Sequence, residues 1–186
     1  MFTLEDFATC YDNIISEVKN YNPSCDYSSY FEKYPNMVSR SPMTEDQWDN
    51  LVKVCSVIEA NYNRFKMATY HETHTCGTAH CIAGWAASIA VGDTNDNKIA
   101  YKSNDQQEVL PISVFSSRFI SEYTYPFYFL TNDNLALPND FDIEDLVMRH
   151  FIEPVLEAAK YSSQELTEEI NQLIAKMQNT SCPVAV

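Results

Sequence analysis

The scarcity of glycine is the feature of this sequence that most limits what it can fold into. Only Gly77, Gly84 and Gly92 occur among 186 residues. The tight turns that join antiparallel strands depend on glycine, because glycine adopts positive φ without steric cost. We therefore predict a mainly α-helical fold with long irregular loops and at most a small hairpin, around Ile99–Tyr101. Glycine-rich loops that cradle nucleotide phosphates are excluded, since neither GxGxxG nor GxxxxGK[ST] is present.

The spacing of apolar residues predicts about five helices packed around a central helix over residues 78–91. That stretch reads TAHCIAGWAASIAV, and its small alanine side chains permit close approach of neighbouring helices. Thr3 has the position of an N-cap for the first helix. Thr44, three residues before Gln47, predicts a capping box at the start of the second. We expect one domain over residues 1–186, with residues 179–186 as a frayed tail.

The charge balance is strongly negative and narrows the range of partners. Twenty-six acidic residues against twelve basic ones give a net charge of −14. Such a chain repels nucleic-acid phosphates and anionic lipids, so we expect no direct binding of nucleic acid or membranes. The N-terminal residues lack the basic and apolar regions of a signal peptide, which predicts a cytoplasmic protein with its cysteines as thiols. The expected partner is a host or cognate protein with a basic surface.

The segment from residue 71 to residue 81 concentrates the residue types that bind zinc. Three of the four histidines and two of the six cysteines lie within it: His71, His74, Cys76, His80 and Cys81. Imidazole nitrogens and thiolates are the ligands that zinc favours. Adjacent residues of a helix point about 100° apart, so we consider His71, His74, Cys76 and either Cys81 or His80 as a metal set. The alternative is a structural turn with buried cysteines and surface histidines, because the spacing matches no common zinc pattern.

Cys76 also has the position of an activated nucleophile, because the predicted central helix begins directly after it. A helix N-terminus lowers the pKa of a thiol and supplies backbone donors to an oxyanion. The catalytic base would be His80, one turn further on, or His150 in a later helix. Cysteine before histidine, with Cys76-Gly77 opening a helix, looks loosely like papain-type peptidases. Those enzymes carry the histidine on a sheet and follow it with Asp or Asn, and neither follows His150 closely here.

A second resemblance is carried by a longer motif. The sequence reads Phe65-Lys66-Met67 and then, after a gap, CGTAHCIAGWA from Cys76. This pattern is similar to one in short bacterial and phage proteins of unknown function, which carry F-x-M followed by CGTxxCxAGxA. The match covers roughly residues 50–92, and the motif includes Cys76 and Cys81 but not the histidines. The resemblance implies that the two cysteines form a structural or redox pair, and it implies no activity.

Two hypotheses about function follow. The first is a non-enzymatic acidic protein-interaction module, encoded by a phage or mobile element, that binds or inhibits a host protein and needs no cofactor. Its contact residues would be tyrosines of an irregular loop and carboxylates of an acidic span: Tyr27, Tyr30, Tyr34, Asp133, Asp140, Asp142, Glu144 and Asp145. The alternative is a zinc-binding or cysteine-dependent enzyme centred on Cys76.

Overall fold

The computed structural model describes residues 1–23, 42–68, 72–74, 77–91, 98–103, 106–160 and 162–179. For residues 72–74, 77–79, 98–103, 106–109 and 179 it describes the backbone only. The fold is mainly helical, as the glycine content predicts. The α-helices are α1 Leu4–Tyr21, α2 Glu45–Ala60, α3 Ile82–Val91, α4 Ile112–Ile120, α5 Ile143–Val147, α6 Glu153–Ala159 and α7 Gln164–Asn179. Two 3₁₀ helices, Tyr62–Arg64 and Glu122–Phe129, and a π turn, Met148–Ile152, complete the helical structure.

Three of the helices, α1, α2 and α7, begin at capping residues with hydroxyl side chains. Thr3 caps α1 and forms a reciprocal capping box with Asp6, whose carboxylate accepts from the Thr3 backbone N–H at 2.7 Å. Thr44 and Gln47 form the predicted capping box of α2, at 3.1 and 3.2 Å. Ser163 accepts from the Leu166 N–H at 3.2 Å at the start of α7. Each cap satisfies a backbone donor that the first helical turn leaves unpaired.

Two short antiparallel hairpins accompany the helices. Strands β3, Lys98–Ser103, and β4, Gln106–Pro111, pair from Lys98 opposite Pro111 to Ser103 opposite Gln106. This confirms the small hairpin predicted around Ile99–Tyr101. The pairing of β1, Glu72–His74, with β2, Gly77–Ala79, forms a second hairpin that the sequence did not lead us to expect.

The central helix is shorter at its start than predicted. It begins at Ile82 instead of Thr78, because residues 77–79 form β2 and His80 makes a parallel β-bridge to Phe65. The His80 N–H donates to the Arg64 carbonyl at 3.0 Å, and the His80 carbonyl accepts from the Lys66 N–H at 3.0 Å. Both backbone groups of His80 are therefore engaged outside the helix. The prediction of a central helix is otherwise confirmed, since residues 82–88 are all buried.

Aromatic side chains fill the part of the core where α1 meets the π turn. The rings of Phe127 and Phe151 stack at 4.2 Å between centroids, and Phe7 packs against both, at 6.4 and 5.9 Å. All three side chains are fully buried. Burying a phenylalanine side chain contributes up to about 3 kcal/mol, so this cluster fixes α1 firmly against the later helices.

A π turn joins α5 to α6 and has an identifiable cause. The Glu153 N–H donates to the Met148 carbonyl, five residues back. Pro154 follows at once, and a proline ring clashes with the carbonyl four residues earlier in a regular α-helix. The wider π turn accommodates Pro154 without ending the helix. On this turn, Arg149 and His150 both reach Glu17 of α1.

Among the described helices, none is long and apolar enough to cross a membrane.

Candidate functional site

The largest concentration of candidate contact residues lines an open groove between the end of α1 and the chain from residue 138 to residue 149. We call it the acidic groove; its volume is about 470 Å³, and its lining residues are Glu17, Tyr21, Pro138, Asp140, Phe141, Asp142, Asp145, Leu146 and Arg149. Four of these residues are acidic and one is basic. The Tyr21 side chain is 67% exposed, and its ring meets Phe141 edge-on at 4.7 Å. The groove thus combines carboxylates with an accessible aromatic surface.

Arg149 lies between the carboxylates of the groove and bonds to two of them. Its Nη1 and Nη2 donate to Glu17 at 3.1 and 3.3 Å, and its Nε donates to Asp145 at 2.8 Å. His150 Nε2 hydrogen-bonds the same Glu17 carboxylate. These hydrogen bonds, from Arg149 first and then His150, hold the pKa of the Glu17 carboxyl below its usual value. The carboxylates raise the pKa of the Arg149 guanidinium in turn.

Two of the acidic candidates serve the fold. Asp142 caps α5 by accepting from the Asp145 N–H at 2.9 Å. Glu144 Oε1 accepts from the backbone N–H of the buried Met67 at 2.9 Å, so it ties the Phe65–Met67 segment to α5. Burial, followed by the carboxylates of Asp142, Asp145 and Glu144, raises the pKa of the nearby Tyr62 hydroxyl. That rise is the response expected of a phenol in a negative potential.

Asp133 and Asp140 differ from these residues because both are exposed. Within the described residues, neither side chain makes a hydrogen bond or an ion pair. Asp140 lines the acidic groove and Asp133 does not. The two aspartates therefore form a matched pair, of which one member alone lies in the groove.

A second acidic depression adjoins Arg149. Its volume is about 580 Å³, and it is lined by Glu59, Arg149, Glu153, Pro154, Leu156 and Glu157. Arg149 is shared by both depressions, so the acidic surface continues past it. The two depressions together place seven carboxylates beside the single guanidinium of Arg149.

The structure corrects the interpretation of Cys76 as the N-cap of the central helix. Helix α3 begins six residues after Cys76, with Cys81 as the residue before its first turn, and the Trp85 N–H donates to the Cys81 carbonyl at 2.9 Å. Cys76 is therefore not the N-cap of α3, and an activated Cys76 thiol stays a prediction. His71 and Cys76 themselves lie outside the described residues, and His74 is described through its backbone only.

The structure places the two candidate catalytic bases, His80 and His150, in different surroundings. His80 is 2% exposed; its ring packs on Trp85 at 4.9 Å and its Nε2 lies 3.4 Å from Ser88 Oγ. Arg64 covers the Trp85 ring at 5.1 Å and donates to the Met177 carbonyl at 3.1 Å. His150 Nε2 instead hydrogen-bonds the Glu17 carboxylate.

Cys81 is a buried thiol and we expect it to react slowly. It is 1% exposed, and burial raises its pKa to about 11. At pH 8 only about one thiol in a thousand would be ionised, and the thiolate is the nucleophile. In the folded protein at pH 8, iodoacetamide should leave Cys81 unmodified over the time that alkylates it fully in denaturant, as read by peptide mass spectrometry. Cys10 is the matched control, because burial also raises the pKa of its thiol to about 11. Rapid modification of Cys81 in the folded protein would contradict the burial.

The zinc hypothesis stays a prediction. Among the side chains that the structure describes, no group of three or more His, Cys, Asp or Glu residues could hold a metal ion. The proposed ligands are His71, His74, Cys76 and Cys81, and the structure describes the side chain of Cys81 alone among them. The tyrosines of the first hypothesis, Tyr27, Tyr30 and Tyr34, likewise lie outside the described residues.

No family model, curated protein or solved structure matches the chain.

The charged residues that sequence reasoning missed are Glu17 and Arg149, which complete the acidic groove. Glu17 and Arg149 are 132 residues apart in the chain, and no local pattern pairs residues at that separation. The available signal was Pro154 inside a helical pattern. A proline there indicates a disturbed turn just upstream, where Arg149 and His150 lie.

Proposed function

We propose that the chain is a non-enzymatic protein-interaction module whose acidic groove binds a basic segment of a partner protein. The observation that carries the proposal is the lining of the groove, where four carboxylates and one guanidinium surround an exposed tyrosine. Opposite charges across an interface speed association and select the partner. Tyrosine adds contact area at a low cost in side-chain entropy.

The partner in this proposal is a host or cognate protein, and the chain works as a phage or mobile-element product in the host cytoplasm. A net charge of −14 suits a basic partner, including a protein whose basic surface otherwise holds nucleic acid. By occupying such a surface with carboxylates in place of phosphates, the chain would inhibit its partner.

The matched aspartates give a direct test. A fluorescent hexa-arginine peptide, titrated by anisotropy at about 50 mM salt to limit screening, should bind the wild-type protein. Asp140→Asn should weaken binding about threefold to fivefold, as expected for the loss of one exposed charge contact. Asp133→Asn removes the same charge outside the groove and should change binding by less than about twofold.

Equal weakening of peptide binding by the two substitutions would show that binding depends on net charge alone, and it would contradict the proposal. Absence of binding by the wild-type protein would do the same. Proteins captured from the native host can then be compared between the same two variants. The captured amount of a genuine partner should fall with Asp140→Asn and stay unchanged with Asp133→Asn.

A further inference from the structure

The guanidinium of Arg149 is held inside the acidic groove by the groove's own carboxylates. It makes three hydrogen bonds of 2.8 to 3.3 Å to carboxylates, two to Glu17 and one to Asp145. The contact to Glu17 is the fork-to-carboxylate geometry with which arginine recognises carboxylates in general. The chain thus shows in its own structure how a guanidinium fits this groove.

We propose that Arg149 is an autoinhibitory contact that a partner's arginine displaces. The inference rests on the proposed function of the acidic groove and concerns how that groove is regulated. In the unbound protein Arg149 satisfies Glu17 and Asp145, and a bound partner's guanidinium takes over these two carboxylates. Arg149 then swings toward the second depression, whose lining it already shares with Glu153 and Glu157.

The contacts of Arg149 are weak enough for a partner's guanidinium to replace them. The side chain of Arg149 is 42% exposed, and those of Glu17 and Asp145 are 35% and 50% exposed. Ion pairs this accessible are partly screened by water and contribute little to stability. The backbone of the π turn stays in place without them, because Met148, Phe151 and Ile152 are buried in the core.

A substitution that removes the charge of Arg149 and keeps the fold tests the inference. Arg149→Gln removes the internal guanidinium and should tighten binding of the hexa-arginine peptide about threefold to tenfold. Arg118→Gln is the matched control, since Arg118 is exposed on α4 and lines neither acidic depression. It makes the same change of net charge, and it should tighten binding by less than about twofold at about 50 mM salt.

A second measurement uses the wild-type protein and needs no variant. The Arg149 Nε–H, which donates to Asp145, gives its own signal in an arginine-selective NMR spectrum. On saturation with hexa-arginine, hydrogen exchange at this Nε–H should accelerate at least about threefold, because the bond to Asp145 is released.

The outcomes separate the inference from the function on which it rests. If the wild-type protein binds the peptide and Asp140→Asn weakens that binding, but Arg149→Gln does not strengthen it, the inference is wrong and the proposed function stands. Equal tightening by both arginine substitutions, or an unchanged Nε–H exchange rate in the saturated complex, also overturns the inference. If the wild-type protein does not bind the peptide, both proposals fall.

Discussion

Replacing Phe151 by alanine is expected to lower the free energy of unfolding by about 3 to 5 kcal/mol. The side chain is fully buried, stacks on Phe127 at 4.2 Å and meets Phe7 at 5.9 Å. Its removal leaves a cavity that rigid aromatic neighbours on α1 and the second 3₁₀ helix cannot close. The loss is large because it combines the transfer of apolar surface with the cost of that cavity.

Urea unfolding followed by circular dichroism measures this effect. The transition midpoint should fall while the slope m stays constant, since the surface exposed on unfolding is nearly unchanged. Phe2→Ala is the matched control, because Phe2 is only partly buried against the core and should cost much less. Equal losses for the two substitutions would show that the cluster of Phe7, Phe127 and Phe151 is not the centre of the core.

Replacing Glu144 by alanine is expected to lower the free energy of unfolding by about 2 kcal/mol. Glu144 Oε1 accepts from the Met67 N–H at 2.9 Å, and Met67 itself is 2% exposed. Without the carboxylate, this backbone donor loses its charged acceptor, and hydrogen bonds to charged groups contribute about 1.5 to 3 kcal/mol. The loss would mark Glu144 as a structural residue among the acidic candidates for partner binding.

The measurement is the same urea titration, and Asp140→Ala is its control. Asp140 is exposed, so its substitution should change stability by no more than about 0.5 kcal/mol. In the hexa-arginine titration, substitution of Asp140 should weaken peptide binding more than substitution of Glu144. A Glu144→Ala protein as stable as the wild type would contradict the role assigned to the Met67 contact.

Local signals in the sequence were sufficient for much of the fold. The N-cap at Thr3 and the capping box of Thr44 with Gln47 were predicted because both depend on residues close together in the chain. The burial of residues 82–88 followed from a run of small and apolar residues. The start of α3 could not be predicted, because His80 is removed from the helix by a β-bridge to Phe65, fifteen residues earlier. Such pairing has no local signature.

The π turn explains a pattern that the sequence contains but that we did not interpret. Buried residues recur every four positions through this helix: Ile143, Val147, Phe151, Val155 and Ala159. In a regular α-helix with 3.6 residues per turn, such a stripe drifts by about 40° at each step. The wider π turn takes up part of that drift and keeps the stripe facing the core. The four-residue period together with Pro154 therefore indicated the disturbed turn, although not its contact with Glu17.

The burial of Trp85 gives the protein a built-in optical reporter. Its ring is fully buried between the His80 ring and the Arg64 guanidinium, and the only other tryptophan of the chain is Trp48 on α2. Indole emission depends on neighbouring charge and polarity, so any event that charges or displaces His80 registers in the fluorescence of Trp85. The signal of Trp85 therefore offers a test of the zinc hypothesis in the unlabelled protein.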